Sequence, residues 1–129
     1  MALTFDTGAL VGLERARHEM RKVYATAVTN DIRITVPAVV LAEWWRTGRK
    51  EKERSQILRS LIIDPTTDLV ARLAGAALTL LPGAHTIDAL VMASAAQRPN
   101  ECVYTSDPDD LRALKAAVPQ FAGIRILHA

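Results

Sequence analysis

The chain has one cysteine, Cys102, in 129 residues. An internal disulfide and a thiolate metal site are both excluded. Cys102 lies in the apolar run Cys102-Val103-Tyr104, so it reads as a small buried hydrophobe suited to a reducing compartment. Long hydrophobic runs are missing too. The longest, such as Leu73 to Leu81, falls well short of the roughly 20 residues a membrane helix needs. The N-terminus meets Asp6 before any long apolar stretch, so no signal peptide is expected. There is no low-complexity segment, no internal repeat and no linker. These absences predict one cytoplasmic domain over residues 1–129, with no membrane association. Charge of one sign is also scarce. The net charge of +2 and pI near 9.0 permit nucleic-acid binding without arguing for it.

Half of the residues are hydrophobic, which is enough to build a core and argues against disorder. Short β-type runs alternate with longer helical ones. Ala2 to Phe5 is an apolar run ending at Asp6. Ala9 to Asn30 is helical in pattern, with a break near His18. Ile32, Ile34 and Val36 alternate with Arg33 and Thr35, which is strand periodicity. Pro37 suits the first position of a helix running to about Thr47, with Gly48 as its stop. Glu51 to Arg59 is a second, very polar helix, and Leu61 to Ile63 a short buried strand. Thr67 or Asp68 caps a helix to Leu80, and Thr86 caps another that ends before Pro99. Cys102 to Thr105 is a strand, Asp107-Pro108 opens a helix that ends before Pro119, and Ile124 to Leu127 is a last strand. Such alternation predicts an α/β fold, a three-layer α/β/α sandwich around a parallel sheet.

In parallel sheets of this kind ligands bind beyond the carboxyl ends of the strands. Asp6 follows the first strand, and Asp107 follows Cys102–Thr105 with Asp109 and Asp110 close behind. Asp88 lies in the first turn of a helix, and Glu43 lies within another, beside Val39 and Val40. Each Asp also suits a helix cap or a helix dipole. Glu43 is harder to dismiss, because a carboxylate on an apolar helix face is costly unless it is paired or bound to a metal. No His-x-Glu or paired-Cys pattern offers a softer site. A cluster of carboxylates would suit a hard cation, Mg²⁺ or Mn²⁺. Such an ion can lower the pKa of bound water and stabilise charge on a phosphoryl oxygen.

Four segments together resemble the PIN-domain family, and within it the VapC-type toxin ribonucleases of bacterial toxin–antitoxin pairs. They are Phe5-Asp6-Thr7-Gly8-Ala9-Leu10, Pro37 to Glu43, Thr86 to Ala93, and Tyr104-Thr105-Ser106-Asp107-Pro108-Asp109-Asp110-Leu111. The resemblance spans nearly the whole chain, in order. It implies a three-layer α/β/α domain and a Mg²⁺- or Mn²⁺-dependent endoribonuclease acting on structured RNA such as tRNA or rRNA. Asp6, Glu43, Asp88 and Asp107 match the family's acidic quartet. Either Asp109 or Asp110 matches a further acid, and Thr105 a supporting hydroxyl. A homodimer and a cognate antitoxin are implied as well.

Other features carry less. Arg46 and Arg49 are candidates for holding an RNA backbone. The stretch holding Arg15, Arg17, Arg21 and Lys22 reads as a solvated helix face. Trp44 and Trp45 are candidate partner-binding residues, since Trp is enriched in binding hot spots, and core packing is the alternative. His85 could contact a phosphate or simply be solvated. A phosphatase-type rival wants a second acid two residues after its nucleophilic Asp, and Asp6-Thr7-Gly8 lacks it. A catalytically inactive module that binds RNA or a partner is the other alternative.

Overall fold

A computed structural model describes residues 2–129. Five strands form one sheet: β1 (Ala2–Phe5), β2 (Ile34–Pro37), β3 (Ile62–Asp64), β4 (Glu101–Thr105) and β5 (Arg125–His128). They run in the order β3-β2-β1-β4-β5, and every pairing is parallel. The connecting helices are α1 (Thr7–Glu14), α2 (His18–Thr29), α3 (Ala38–Trp44), α4 (Glu51–Leu58), α5 (Asp68–Leu80), α6 (Thr86–Ala95) and α7 (Pro108–Ala117), followed by a 3₁₀ turn at Pro119–Phe121. Consecutive residues of β1, β2 and β4 are buried. Neighbouring strand residues point to opposite faces, so both faces of the sheet centre are covered.

Local signals explain most boundaries. Asp31 adopts φ 55°, and the amides of Asp31 and Ile32 return to the carbonyls of Val28 and Ala27. That left-handed stop closes α2 and holds Ile32 out of the sheet, so the strand begins at Ile34 rather than Ile32. Pro37 ends β2 and stands at the N-cap of α3 instead of opening the helix. α3 ends at Trp44, short of the expected Thr47. Trp45 is extended, and Arg46 donates Nη1 to the carbonyls of Ala42 (3.1 Å) and Trp45 (2.6 Å), satisfying groups the helix end would orphan. Thr67 caps α5 by accepting from the Val70 amide. Thr86 is the first helical residue of α6, with His85 at the N-cap position. β5 is displaced by one residue, to Arg125–His128. The expected buried strand at Leu61–Ile63 is instead an edge strand over Ile62–Asp64, with Ile62 and Ile63 40% and 37% exposed. It pairs only with β2, so one side meets no further strand.

A charged network ties this edge to the centre. Arg98, just after α6, donates to Glu101 Oε2 (2.6 Å), Asp64 Oδ2 (3.3 Å) and Thr4 Oγ1 (3.1 Å). Thr4 donates to Glu101 (2.5 Å) and Ser94 to Asp64 (2.6 Å). Glu101 is 1% exposed, a depth at which a carboxylate needs such partners.

The strand order reverses direction at β1. The chain moves to β2 and β3 on one side, then returns to β4 and β5 on the other. A crevice opens at such a switch point, beyond the carboxyl ends of the two central strands. β1 and β4 are in register from Ala2↔Glu101 to Phe5↔Tyr104, so the residues that follow them emerge side by side.

Candidate active site

Asp6 follows β1 directly, and its amide donates to the Tyr104 carbonyl of β4 (3.3 Å). Its side chain caps α1 by accepting from the Ala9 amide (3.0 Å). The capping explanation therefore holds for Asp6, yet it does not exhaust the residue, because the carboxyl is buried at the switch point. Burial raises its pKa. The Thr105 hydroxyl and the Ala9 and Gly8 amides pull it down, and Glu43 adds a further upward push. Asp88, in the first turn of α6, is raised to about 6, first by burial, then by the charges of Asp110, Asp6 and Glu43, with His85 opposing. Asp107 emerges after β4, and its amide donates to Thr105 Oγ1 (3.0 Å). Its carboxyl is raised by its hydrogen bond to, and charge repulsion from, Asp110.

Glu43 is exposed on α3 while Val40 behind it is buried. Thr7, the first residue of α1, donates to Glu43 Oε1 (2.6 Å). This settles the choice left open by the sequence: the carboxylate is at the surface, and a hydroxyl beside Asp6 holds it. Asp6, Glu43, Asp88 and Asp110 thus act on one another electrostatically, and Asp107 joins through Asp110. None of the five is ion-paired with a Lys or Arg among the described residues. The choice between Asp109 and Asp110 also acquires a geometric answer. Asp109 turns toward Arg112 (3.8 Å), while Asp110 lines a cavity of about 230 Å³ with His85 and Asp88.

The donor chemistry suits a hard divalent cation. Every candidate ligand is a carboxylate, and their mutual repulsion is what a cation would relieve. The set is gathered rather than closed: no three His, Cys, Asp or Glu side chains among the described residues form a ready cage. The residues that would hold an ion are Asp6, Asp88 and Asp107, with Glu43 and Asp110 beside them.

Two residues with no catalytic pattern help to build the site. Thr7 fixes Glu43, and its placement after Asp6 was the only clue in the chain. Gly8 lies against the loop after β4: a Cβ there would fall 2.1 Å from Ser106 Oγ and 2.8 Å from the Ser106 amide. Glycine lets α1 approach that loop and brings Asp6 toward Asp107.

One of the remaining candidates is corrected, and the others are placed. Trp44 is 3% exposed and packs in the core, with the Arg54 guanidinium 5.2 Å from its ring, so no partner reaches it. Trp45 instead lines an open apolar cavity of about 440 Å³ with Leu41, Ala42 and Leu58. Arg46 is exposed, with its Nη1 donated to the carbonyls of Ala42 and Trp45. Arg49 is exposed in the turn before α4.

No protein-family model and no characterised sequence matches this chain. Solved structures do. A chain of the crystal structure of VapBC2 from Rickettsia felis, bound to a DNA fragment from their promoter, superposes with a TM-score of 0.78. The match covers 100% of this chain and 99% of that one, at 16% identity. The fold is PIN-like. Identity this low establishes the fold and no more.

Proposed function

We propose that this protein is the toxin of a toxin–antitoxin pair and a Mg²⁺- or Mn²⁺-dependent endoribonuclease that hydrolyses phosphodiester bonds in structured RNA, of tRNA or rRNA type. The observation that carries the reading is the set of carboxylates without cations at the switch point, in which burial and neighbouring acids raise Asp88 to about 6. Asp6 is buried and Asp88 half-buried, neither ion-paired with a Lys or Arg among the described residues, a costly arrangement that points to a functional site, while Glu43, Asp107 and Asp110 stand exposed at its rim. The likeness in fold to a chain of a VapBC2 structure supports the toxin–antitoxin part.

The bound ion would polarise a phosphoryl oxygen and lower the pKa of a water. The chain's own contribution is positioning. Asp6 is fixed by the Ala9 amide and packed against Thr105, and Glu43 is fixed by Thr7. Asp88 and Asp110 line the cavity beside them, where the exposed His85 can meet a phosphate oxygen. An antitoxin would find an apolar foothold at Trp45. A homodimer would find one on α5, where Leu69, Leu73, Ala76 and Leu80 follow a 4-3-4 spacing and Leu69 and Leu80 are 64% and 55% exposed.

One observation favours a second reading, an RNA- or partner-binding module without catalysis: no three His, Cys, Asp or Glu side chains among the described residues form a ready cage. One experiment separates the two. The purified protein, free of antitoxin, is incubated with total cellular RNA in Mg²⁺, in Mn²⁺ and in EDTA, beside Asp6→Asn and Asp88→Asn. Discrete metal-dependent fragments that vanish with EDTA and in both variants support the nuclease. Full cleavage by both variants, or none by the folded wild type with either metal, overturns it.

A further inference from the structure

The cations of this chain divide into those already engaged and those left free. Arg54, Arg72, Arg98 and Arg112 are ion-paired with carboxylates, and Arg46 is bound to carbonyls. Arg33, Arg49, Lys50, Lys52, Arg59, Lys115 and Arg125 make no ion pair among the described residues, and residues 15–22 gather four more such cations around one turn. Arg15, Arg17, Arg21 and Lys22 are all exposed, and none is ion-paired or hydrogen-bonded through its side chain among the described residues. Glu19 is the one acid in the segment, and His18 is also exposed.

The segment is held in a defined shape. Ala16 adopts φ 55°, a conformation that L-residues with a Cβ rarely take. The turn is secured by the Ala16 amide on the Leu13 carbonyl (3.1 Å) and the Arg17 amide on the Gly12 carbonyl (2.9 Å). Gly12 admits α2 closely, since a Cβ there would lie 2.9 Å from Met20 Cγ. On α2, His18, Arg21, Lys22 and Ala25 fall at i, i+3, i+4 and i+7, one helical face. With Ala16 they line a shallow cavity of about 430 Å³. The result is a trough lined by His18, Arg21 and Lys22 with two small alanines, and Arg15 and Arg17 flank Ala16 in the turn at its edge; Arg21 also borders a neighbouring cavity that holds Glu14 and Glu53. Backbone strain persists where the surroundings over-determine it, and such places are frequently ligand clamps.

We propose that this trough is a binding site for a phosphodiester backbone, with Arg15, Arg17, Arg21 and Lys22 as the phosphate contacts. The choice of RNA as the polyanion rests on the ribonuclease reading above. The placement agrees with it. α1 begins at the residue after Asp6 and has eight residues, so the trough lies about 12 Å along that helix from the acids. At about 3.4 Å per phosphate along one strand, that separation spans on the order of four nucleotides. One strand could run from the acidic crevice to the trough.

The test reads binding without cleavage. A fluorescently labelled single-stranded RNA of 20 nucleotides is titrated with the protein in EDTA, from 50 to 200 mM salt. The wild type is compared with Arg15→Gln/Arg17→Gln/Arg21→Gln/Lys22→Gln and with a control set on the other basic stretch, Arg49→Gln/Lys50→Gln/Lys52→Gln/Arg59→Gln. The trough variant is expected to raise Kd at least tenfold and to reduce the slope of log K against log salt by about 3, since each phosphate contact contributes about 0.7. The control set should change both far less. A trough set of Arg→Lys exchanges, which keeps the charge, should restore binding and guards against a folding defect. Equal weakening by both glutamine sets, no weakening by the trough set, or no RNA binding by the wild type would each overturn the proposal. So would unchanged RNA binding with loss of polyglutamate binding, which would assign the trough to an acidic protein partner. Because the metal is absent, cleavage in the earlier assay survives or fails independently of this result.

Discussion

Two regions of this molecule are rich in acids, and they treat them in opposite ways. At the Arg98 network, Asp64 and Glu101 meet one guanidinium and two hydroxyls, within 2.5 to 3.3 Å. At the switch point, Asp6, Glu43, Asp88, Asp107 and Asp110 face one another, hydroxyls and amides, and none is ion-paired with a Lys or Arg among the described residues. A buried charge that only holds a fold together carries its counterion with it, because the desolvation cost falls on the folded state at all times. A cluster left without one is stable only at a cost, and that cost is recovered when an external cation enters. The contrast separates structural acids from candidate functional ones without reference to any relative.

The largest expected effect lies at the uncompensated set. Asp6→Asn and Asp88→Asn should each bring RNA cleavage to background in gel assays. In EDTA, Asp88→Asn should melt no lower than the wild type, because it removes repulsion. A marked fall in its melting temperature would make Asp88 structural and break the contrast. Next comes the compensated set. Arg98→Met leaves Glu101 and Asp64 unpaired and should cost about 3–5 kcal/mol in urea denaturation, the same with and without Mg²⁺. A variant as stable as the wild type would show that the network is dispensable.

Gly8→Ala should cost about 1–3 kcal/mol, because its Cβ meets the Ser106 backbone. It should also weaken the melting-temperature increase that the proposed Mg²⁺ site predicts for the wild type, whereas a packing defect alone would leave that increase intact. A smaller effect is on pH dependence. The folded pKa of Asp88, about 6, is above its ordinary 3.8, so the folded state holds a proton that the unfolded chain releases between them. The stabilisation is complete below about pH 4 and lost as pH rises through about 6. Partial exposure and solvent screening reduce it to about 1 kcal/mol. Metal-free protein should therefore lose about that much between pH 4 and pH 6.5 relative to Asp88→Asn, as read from paired denaturation curves. The smallest effect should come from Arg72→Ala, which breaks an ion pair with Asp68 whose side chains are 81% and 80% exposed. Less than about 0.5 kcal/mol is expected of the monomer, and a larger loss that grows with protein concentration would fit the dimer face proposed on α5.

Much of the fold was legible because period and punctuation are local. The helical break near His18, a cap at Thr67 or Asp68, the Asp107-Pro108 opening of α7 and the strand over Cys102–Thr105 follow from spacing and turn chemistry alone, and the structure chooses Thr67 as the cap and adds Glu101 to the strand. Boundaries failed where a distant partner intervened. Trp44, which the sequence left between partner anchor and core, is core, under Arg54. Ile62 and Ile63 looked buried and lie on a sheet edge. Arg46, a candidate for the RNA backbone, is exposed with its Nη1 on the end of its own helix. In the candidate site, Asp6 and Asp107 could be placed from strand ends, whereas Thr7, Gly8 and Ser106 could not. Their roles exist only through contacts with Glu43 and between one another.

By itself, then, the sequence determined the element types, the alternation that requires a parallel sheet, and which carboxylates stand after strands, since these depend on neighbours within a few residues. The strand order, the meeting of α1, α3, α6 and α7 at one crevice, the choice of Asp110 over Asp109, and the division of arginines into engaged and free were decided by tertiary structure alone. Each depends on groups brought together from distant parts of the chain, as Thr4 meets Glu101 and Thr7 meets Glu43, and no local pattern records those distances.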